Sequence, residues 1–286
     1  MDTQVCLNGG NRRARAGAMI AALDITAALR DGRTYLKESF WQPPFKIADV
    51  TEDRRRPTLH LMQMSASPGV LAGDHYQIGI RLEEGAAVHW HTQSYQRLFS
   101  MASPARQQVR VELAPGASLT YLPHPCVPQA GADFRGENRI FLSADCRLIW
   151  GEIVTCGRKL NGEVFRFSNY RSVTEVFLEG KLILKENLRL VPQRVSPAGI
   201  GHLEGFTHQG GLICINPRLD ITSLVPHLSE SLAAIPGIDF GITSLPVNGF
   251  ALRVLGNHSE RLVQALKITS EIITKSEILC KLSFRY

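Results

Sequence analysis

The stretch GAAVHWHTQ, residues 85–93, places His89 and His91 on either side of Trp90. A His-x-His pair offers two imidazole nitrogens to a borderline divalent ion. A catalytic 2-His-carboxylate centre also needs an acidic ligand converging on that ion. The residues that follow, Thr92, Gln93, Ser94, Tyr95 and Gln96, supply none. Four acidic residues, mostly beside glycine turns, are the other ligand candidates: Asp74 in AGDH, Glu152 in WGEIVTCGR, Glu163 in LNGE and Glu186 in LKENL. Carboxylates and imidazoles suit weak, exchangeable metal contacts, without the locking strength of several thiolates. Spacing alone does not bring the four together.

The elements that position these residues are mostly strands. LEEGAAVHW (82–90), LAPGASLTY (113–121) and LSADCRLIW (142–150) align without gaps, at spacings of 31 and 29 residues. Each runs from a leucine through a turn into a short strand. Period-two alternation puts Ala86, Ala117 and Cys146, then Val88, Leu119 and Leu148, then Trp90, Tyr121 and Trp150, on one face. Recurrence at about 30 residues predicts similar strands stacked in a superhelical or multi-layered β fold. His89 and His91 then face away from the Trp90 column, on a solvent or interface face. Their counterparts, Thr120 and Leu122, then Ile149 and Gly151, are not ligands.

Around this repeat, LDITAALRDGRTYLKESF reads as a hairpin turning at Asp31-Gly32, and QPPFK as an extended stretch. A second hairpin turns at Glu179-Gly180, and EGFTHQGGLICI reads as a buried strand. Helices are expected in the last third. Ser223 is the expected cap of one, with Leu224, Leu228, Leu232 and Ile235 on its buried stripe. SERLVQALKITSEIITK gives Leu262, Ala265, Leu266, Thr269 and Ile273 at helical spacing. The expected class is mainly β, multi-layered or superhelical, with two helices in the C-terminal third. Residues 1–18 are expected to be a flexible tail before one domain over 19–286.

Composition narrows the function. The chain has 286 residues, 44% hydrophobic and 20% charged, with net charge +6. Arg12, Arg13 and Arg15, with the run Arg54-Arg55-Arg56, contribute to that excess, but no basic stripe is interleaved with aromatics, so nucleic acid is not an expected partner. No apolar run reaches the roughly 20 residues needed to span a bilayer. The six cysteines contain no C-x-x-C pair, which disfavours a zinc ribbon or a redox motif and points to reduced thiols in the cytoplasm. There is no phosphate loop, no dinucleotide fingerprint and no nucleophile elbow. A cupin-like metal enzyme would need His89, His91 and a distant third ligand such as His202.

SPGVLAGD (67–74), EGAAVHWHTQS (84–94), GASLTYLPHPCVP (116–128), EIVTCGRKLNGE (152–163) and QPPFK together, in that family's order, resemble the urease accessory protein UreD family, called UreH in some organisms. The similarity runs from about residue 22 into the C-terminal helix. It implies no enzymatic activity and no tightly bound cofactor. It implies binding to apo-urease and to the accessory proteins UreF and UreG, the latter a GTPase, and transient nickel passing through an internal passage. A pure scaffold that opens urease without conducting nickel is the alternative. Carried over residue by residue, Asp74 stands at the family's Gly-Asp turn, and Glu152 stands where many relatives have Asp. Glu163 ends the Gly-Glu pair, and Glu186 lies in the strand after the next hairpin. His89, His91 and Cys126 lie outside the family pattern, and Ala72 replaces a typical glycine.

Overall fold

The computed structural model describes residues 19–283, with side chains through residue 276; the expected tail, residues 1–18, lies outside the described residues. The chain winds between two facing sheets. The first contains β1 (Ile20–Arg30), β2 (Arg33–Trp41), β5 (His75–Leu82), β8 (Ala105–Leu113), β11 (Asp133–Leu142), β13 (Asn169–Leu178) and β14 (Lys181–Leu190). Its order is β14-β13-β11-β8-β5-β1-β2. The second contains β3 (Phe45–Asp49), β4 (Leu59–Ser65), β6 (Ala87–Thr92), β9 (Ser118–Tyr121), β12 (Arg147–Val154), β15 (His208–Ile215), β16 (Ile238–Ser244) and β17 (Gly249–Gly256). Its order is β16-β17-β15-β12-β9-β6-β4-β3, and the short β7 (Gln96–Leu98) and β10 (Cys126–Pro128) join it off this path.

The aligned ninemers are the corners at which the chain passes from the first sheet to the second. β5, β8 and β11 run parallel in one sheet, and β6, β9 and β12 run parallel in the other. The fourth residue of each repeat makes the bend at positive φ: Gly85 (68°), Gly116 (71°) and Asp145 (58°). Glycine adopts this conformation freely, and aspartate is among the few other residues that tolerate it. The corners bond to one another, Gly85 N–H to Pro115 O (3.1 Å) and Gly116 N–H to Ala144 O (3.2 Å).

The expected columns are formed in register. Val88 pairs with Leu119 and Leu119 with Leu148, while Trp90 pairs with Tyr121 and Tyr121 with Trp150. The three aromatic rings stack at centroid distances of 6.3 and 4.0 Å. They face a core that Leu23, Ile78, Val111 and Ile140 supply from the first sheet. Removing each side chain of this size from water contributes on the order of 2–3 kcal/mol.

Both predicted helices form, α1 (Ile221–Ala233) and α2 (Ser259–Ser283). Their apolar stripes cover the outer face of β12, β15 and β17 through Leu224, Leu228, Leu232, Leu262 and Leu266 against Ile149, Ile153, Leu212 and Leu252. Two local expectations change, and one strand was not foreseen. Asp220, not Ser223, caps α1, accepting from Thr222 N–H (3.1 Å) and Ser223 N–H (3.3 Å), because the helix begins at Ile221 and Ser223, already in its first turn, turns its hydroxyl back to Asp220 O (3.2 Å). QPPFK is a turn with a cis Pro43–Pro44 bond rather than an extended stretch, closed by Phe45 N–H on Gln42 O at 2.9 Å. IDFGITS pairs with β17 as the additional strand β16.

Candidate functional site

Trp150 faces the space between the sheets, and period two carries Glu152 onto the same inner face of β12. Four donors converge on its carboxylate: Asn138 Nδ2 (2.5 Å), Ser172 Oγ (2.9 Å), Trp150 Nε1 (3.3 Å) and, more distantly, Thr174 Oγ1 (3.5 Å). Asn138 comes from β11, and Ser172 and Thr174 from β13. The parallel register sets Asn138 beside Thr174, and Asn138 Nδ2 also donates to Thr174 Oγ1 at 2.9 Å. Desolvation pushes the Glu152 carboxyl above the usual carboxylate range. Hydrogen bonds from Ser172, Trp150 and Thr174 oppose that rise, and the charge of Glu186 adds to it.

Two clefts meet at this carboxylate. The first, about 130 Å³, has its mouth at Ser67–Val70, Thr92–Arg97 and Pro123–His124, and its floor at Asn138, Trp150, Glu152, Tyr170 and Ser172. The second, about 140 Å³, opens between β13–β14 and β12–β15–β17 and is lined by Glu152, Thr174, Glu186, Gln209 and Arg253. Both are lined by Trp150, Glu152, Tyr170 and Ser172. Each volume is well above the roughly 15 Å³ that one water needs.

Of the four candidate carboxylates, the structure brings Glu152 and Glu186 to one cleft. Glu186 sits on β14 opposite Thr174 and pairs with Arg253 Nη2 of β17 at 2.7 Å. Asp74 is buried, accepting from Tyr76 Oη and Leu71 N–H, each at 2.8 Å, and from Met19 N–H at 3.3 Å. Its carboxylate fixes the loop before β5 and holds Tyr76, which in turn lines the first cleft. Glu163 lies on a loop, ion-paired with Arg158 and accepting from Ala130 N–H at 3.2 Å. That ion pair holds its carboxyl below the usual range.

His89 and His91 share one face of β6, as the alternation requires. That face is half-buried rather than fully open, and His60 on β4 stands beside His89 with ring centroids 5.1 Å apart. His202 is exposed in the loop between β14 and β15. No three His, Cys, Asp or Glu side chains among the described residues form a metal-holding group, so the cupin-like arrangement of His89, His91 and His202 does not form. The cysteines with described side chains, Cys126, Cys146, Cys156 and Cys214, are buried and free of disulfides. Burial raises the Cys126 thiol strongly, which makes it a poor thiolate ligand.

Sequence reasoning missed Asn138, Ser172 and Thr174 as partners of Glu152. Each is a polar residue on an inward column of its strand. That was their signal, legible only once the strands are aligned in register.

Fold and site together define a two-sheet β scaffold with two water-sized clefts that share a buried carboxylate, Glu152, in their lining. A family model described as "UreD urease accessory protein" matches residues 19–280, and the chain belongs to that family. It is similar to a urease accessory protein UreD of Flavobacterium johnsoniae, 43% identical over 250 residues, covering 87% of this chain and 90% of that protein. It is similar to another of Acetivibrio thermocellus, 37% identical over 252 residues, covering 88% and 96%. A third, of Actinobacillus pleuropneumoniae, is 32% identical over 262 residues, covering 87% and 97%. Membership gives the chain a role in urease maturation, as an accessory protein and not an enzyme, among urease-related proteins. No described helix is long and apolar enough to cross a membrane.

Proposed function

We propose that the chain is a cytoplasmic scaffold that binds apo-urease together with UreF and UreG, and that nickel crosses it on the way to the urease active site. The observation that carries this reading is the meeting of two clefts at the Glu152 carboxylate. A cargo ion must be held weakly enough to leave. One carboxylate already shared among neutral donors gives a transient contact, whereas a closed four-ligand cage would trap the ion. Burial makes the Glu152 carboxyl hold its proton more tightly. Ion and proton therefore compete for the same oxygens, and passage is favoured as pH rises. Beyond Glu152, Glu186 offers a second carboxylate, with Arg253 as the cation that the ion must displace or bypass.

The pure scaffold reading, in which urease is opened without nickel crossing this chain, draws on a specific observation: donors already surround the Glu152 carboxylate. Asp74 and Glu163 fit that reading too, since their bonds are structural.

The test is reconstitution of urease from apo-urease, UreF, UreG, GTP and nickel, with and without the chain. Strict dependence on it supports the maturation complex. Activation that then survives Glu152→Gln and Glu186→Gln, with assembly intact, favours the scaffold over the conduit.

A further inference from the structure

We propose that His60 and His89 form a two-imidazole site for a borderline divalent ion such as Ni²⁺ on the outer face of the second sheet, and that His91 and His124 extend it to the mouth of the first cleft. As a loading point the site rests on the conduit reading; its ion binding does not.

The placement comes from strand register. His60 on β4 is directly opposite His89 on β6, and Met62 opposite His91. Alternation puts His60, His89 and His91 on the face that β12, β15 and β17 use to receive α1 and α2. His124 follows β9, lines the first cleft and is held by Thr92, whose Oγ1 is 3.1 Å from His124 Nδ1 and accepts from His124 N–H at 2.8 Å. The row therefore starts outside the sandwich and ends where the passage opens.

Ring separations select the pair. An imidazole-bound ion lies about 2.0–2.1 Å from nitrogen and so about 3.2 Å from the ring centre. Two rings on one ion at a tetrahedral or cis-octahedral angle then have centres about 4.5–5.2 Å apart. The His60–His89 separation of 5.1 Å falls in that range. The His89–His91 separation of 6.0 Å would need an angle near 140°, which neither geometry offers. Two imidazoles completed by water are thus the site, and His91 and His124 are successive single contacts. That arrangement also agrees with the lack of any three-residue metal group among the described residues.

The electrostatics keep the site weak. An imidazole with the ordinary value near 6.5 is neutral and able to ligate at pH 7.5. Asp49 and Glu52 act favourably on a cation at His60, whereas Arg56 acts against it there and Lys267 of α2 acts against it at His89, His91 and His124. Lys267 is exposed, and its charge makes ion release easier.

The experiment is calorimetric titration of the isolated full chain with Ni²⁺ in a non-coordinating buffer at pH 7.5, on wild type, His60→Gln/His89→Gln, Lys267→Gln and Glu152→Gln. The site predicts binding in the wild type and at least a tenfold loss in the double histidine variant. It also predicts a roughly two- to tenfold gain in Lys267→Gln and persistence of the histidine-dependent binding in Glu152→Gln. Lys267 is a surface residue, so its variant tests the site even if the double variant folds poorly. Equal binding in a folded double variant, or no wild-type binding at millimolar Ni²⁺, overturns the site. If the double variant loses the ion yet activates urease fully, the loading role falls. The conduit reading then stands or falls separately on Glu152.

Discussion

Glu152→Gln isolates the electrostatics of the carboxylate that both clefts share, with almost no change in shape. A raised carboxyl means that the folded chain binds its proton more tightly than the unfolded chain does. The number of protons bound is then larger in the folded state, so stability falls as pH rises from the unfolded carboxylate value near 4.5 through the folded one. A single such group contributes a slope of at most about 1.4 kcal/mol per pH unit inside that window. The amide cannot ionise and removes the slope. The half-buried histidines contribute the opposite sign. His89, lowered to about 4, loses stability as pH falls below its unfolded value near 6.5. They are present in both proteins, so the difference between the two curves belongs to Glu152. Urea denaturation at a series of pH values from 4.5 to 8 should show Glu152→Gln gaining on the wild type steadily up to the folded carboxyl's value and no further. By contrast, Glu152→Ala strips the acceptor from Asn138, Ser172 and Trp150 and should cost about 2–4 kcal/mol, a melting-temperature fall of roughly 3–7 °C. Parallel curves for wild type and Glu152→Gln would refute a desolvated, ionisable carboxylate where the two clefts meet.

The other carboxylates differ in kind. Asp74→Ala should destabilise by about 2–4 kcal/mol in chemical denaturation, because it leaves the Tyr76 hydroxyl and Leu71 N–H without their acceptor. Glu163→Gln, which loses a surface pair with an exposed arginine, should change stability by no more than about 1 kcal/mol by the same assay and leave urease activation intact. Gly249→Ala should be severely destabilising in thermal melts, since its new Cβ would lie 2.3 Å from the Cys214 carbonyl oxygen, a backbone atom that cannot swing away. Leu228→Ala, in the interface between α1 and the outer sheet face, should cost about 2–5 kcal/mol in denaturant titration.

Much of the scaffold was legible because it is periodic. The corner repeat predicted the Trp90–Tyr121–Trp150 column and the outward direction of His89 and His91, since a period of two allows no other arrangement once one column is buried. The helical stripes were equally direct, each apolar position recurring at helical spacing. The cap of α1 and the turn at Pro43–Pro44 were misread, since each depends on a choice between competing local bonds. The cross-strand partners of Glu152, Asn138, Ser172 and Thr174, lie 14 to 22 residues away in sequence. Only pairing between strands brings them together, and a polar residue on one strand carries no mark of which carboxylate it will meet. The same holds for His60, whose place beside His89 follows from register alone.

The most direct measurement is the nickel content of urease after reconstitution from apo-urease, UreF, UreG and GTP, with either wild-type chain or Glu152→Gln, in complexes shown to co-elute identically. The conduit account predicts that Glu152→Gln forms the same complex and delivers nickel at a rate lower by tenfold or more. Equal nickel delivery from equal amounts of complex would contradict it and leave the chain as a scaffold alone.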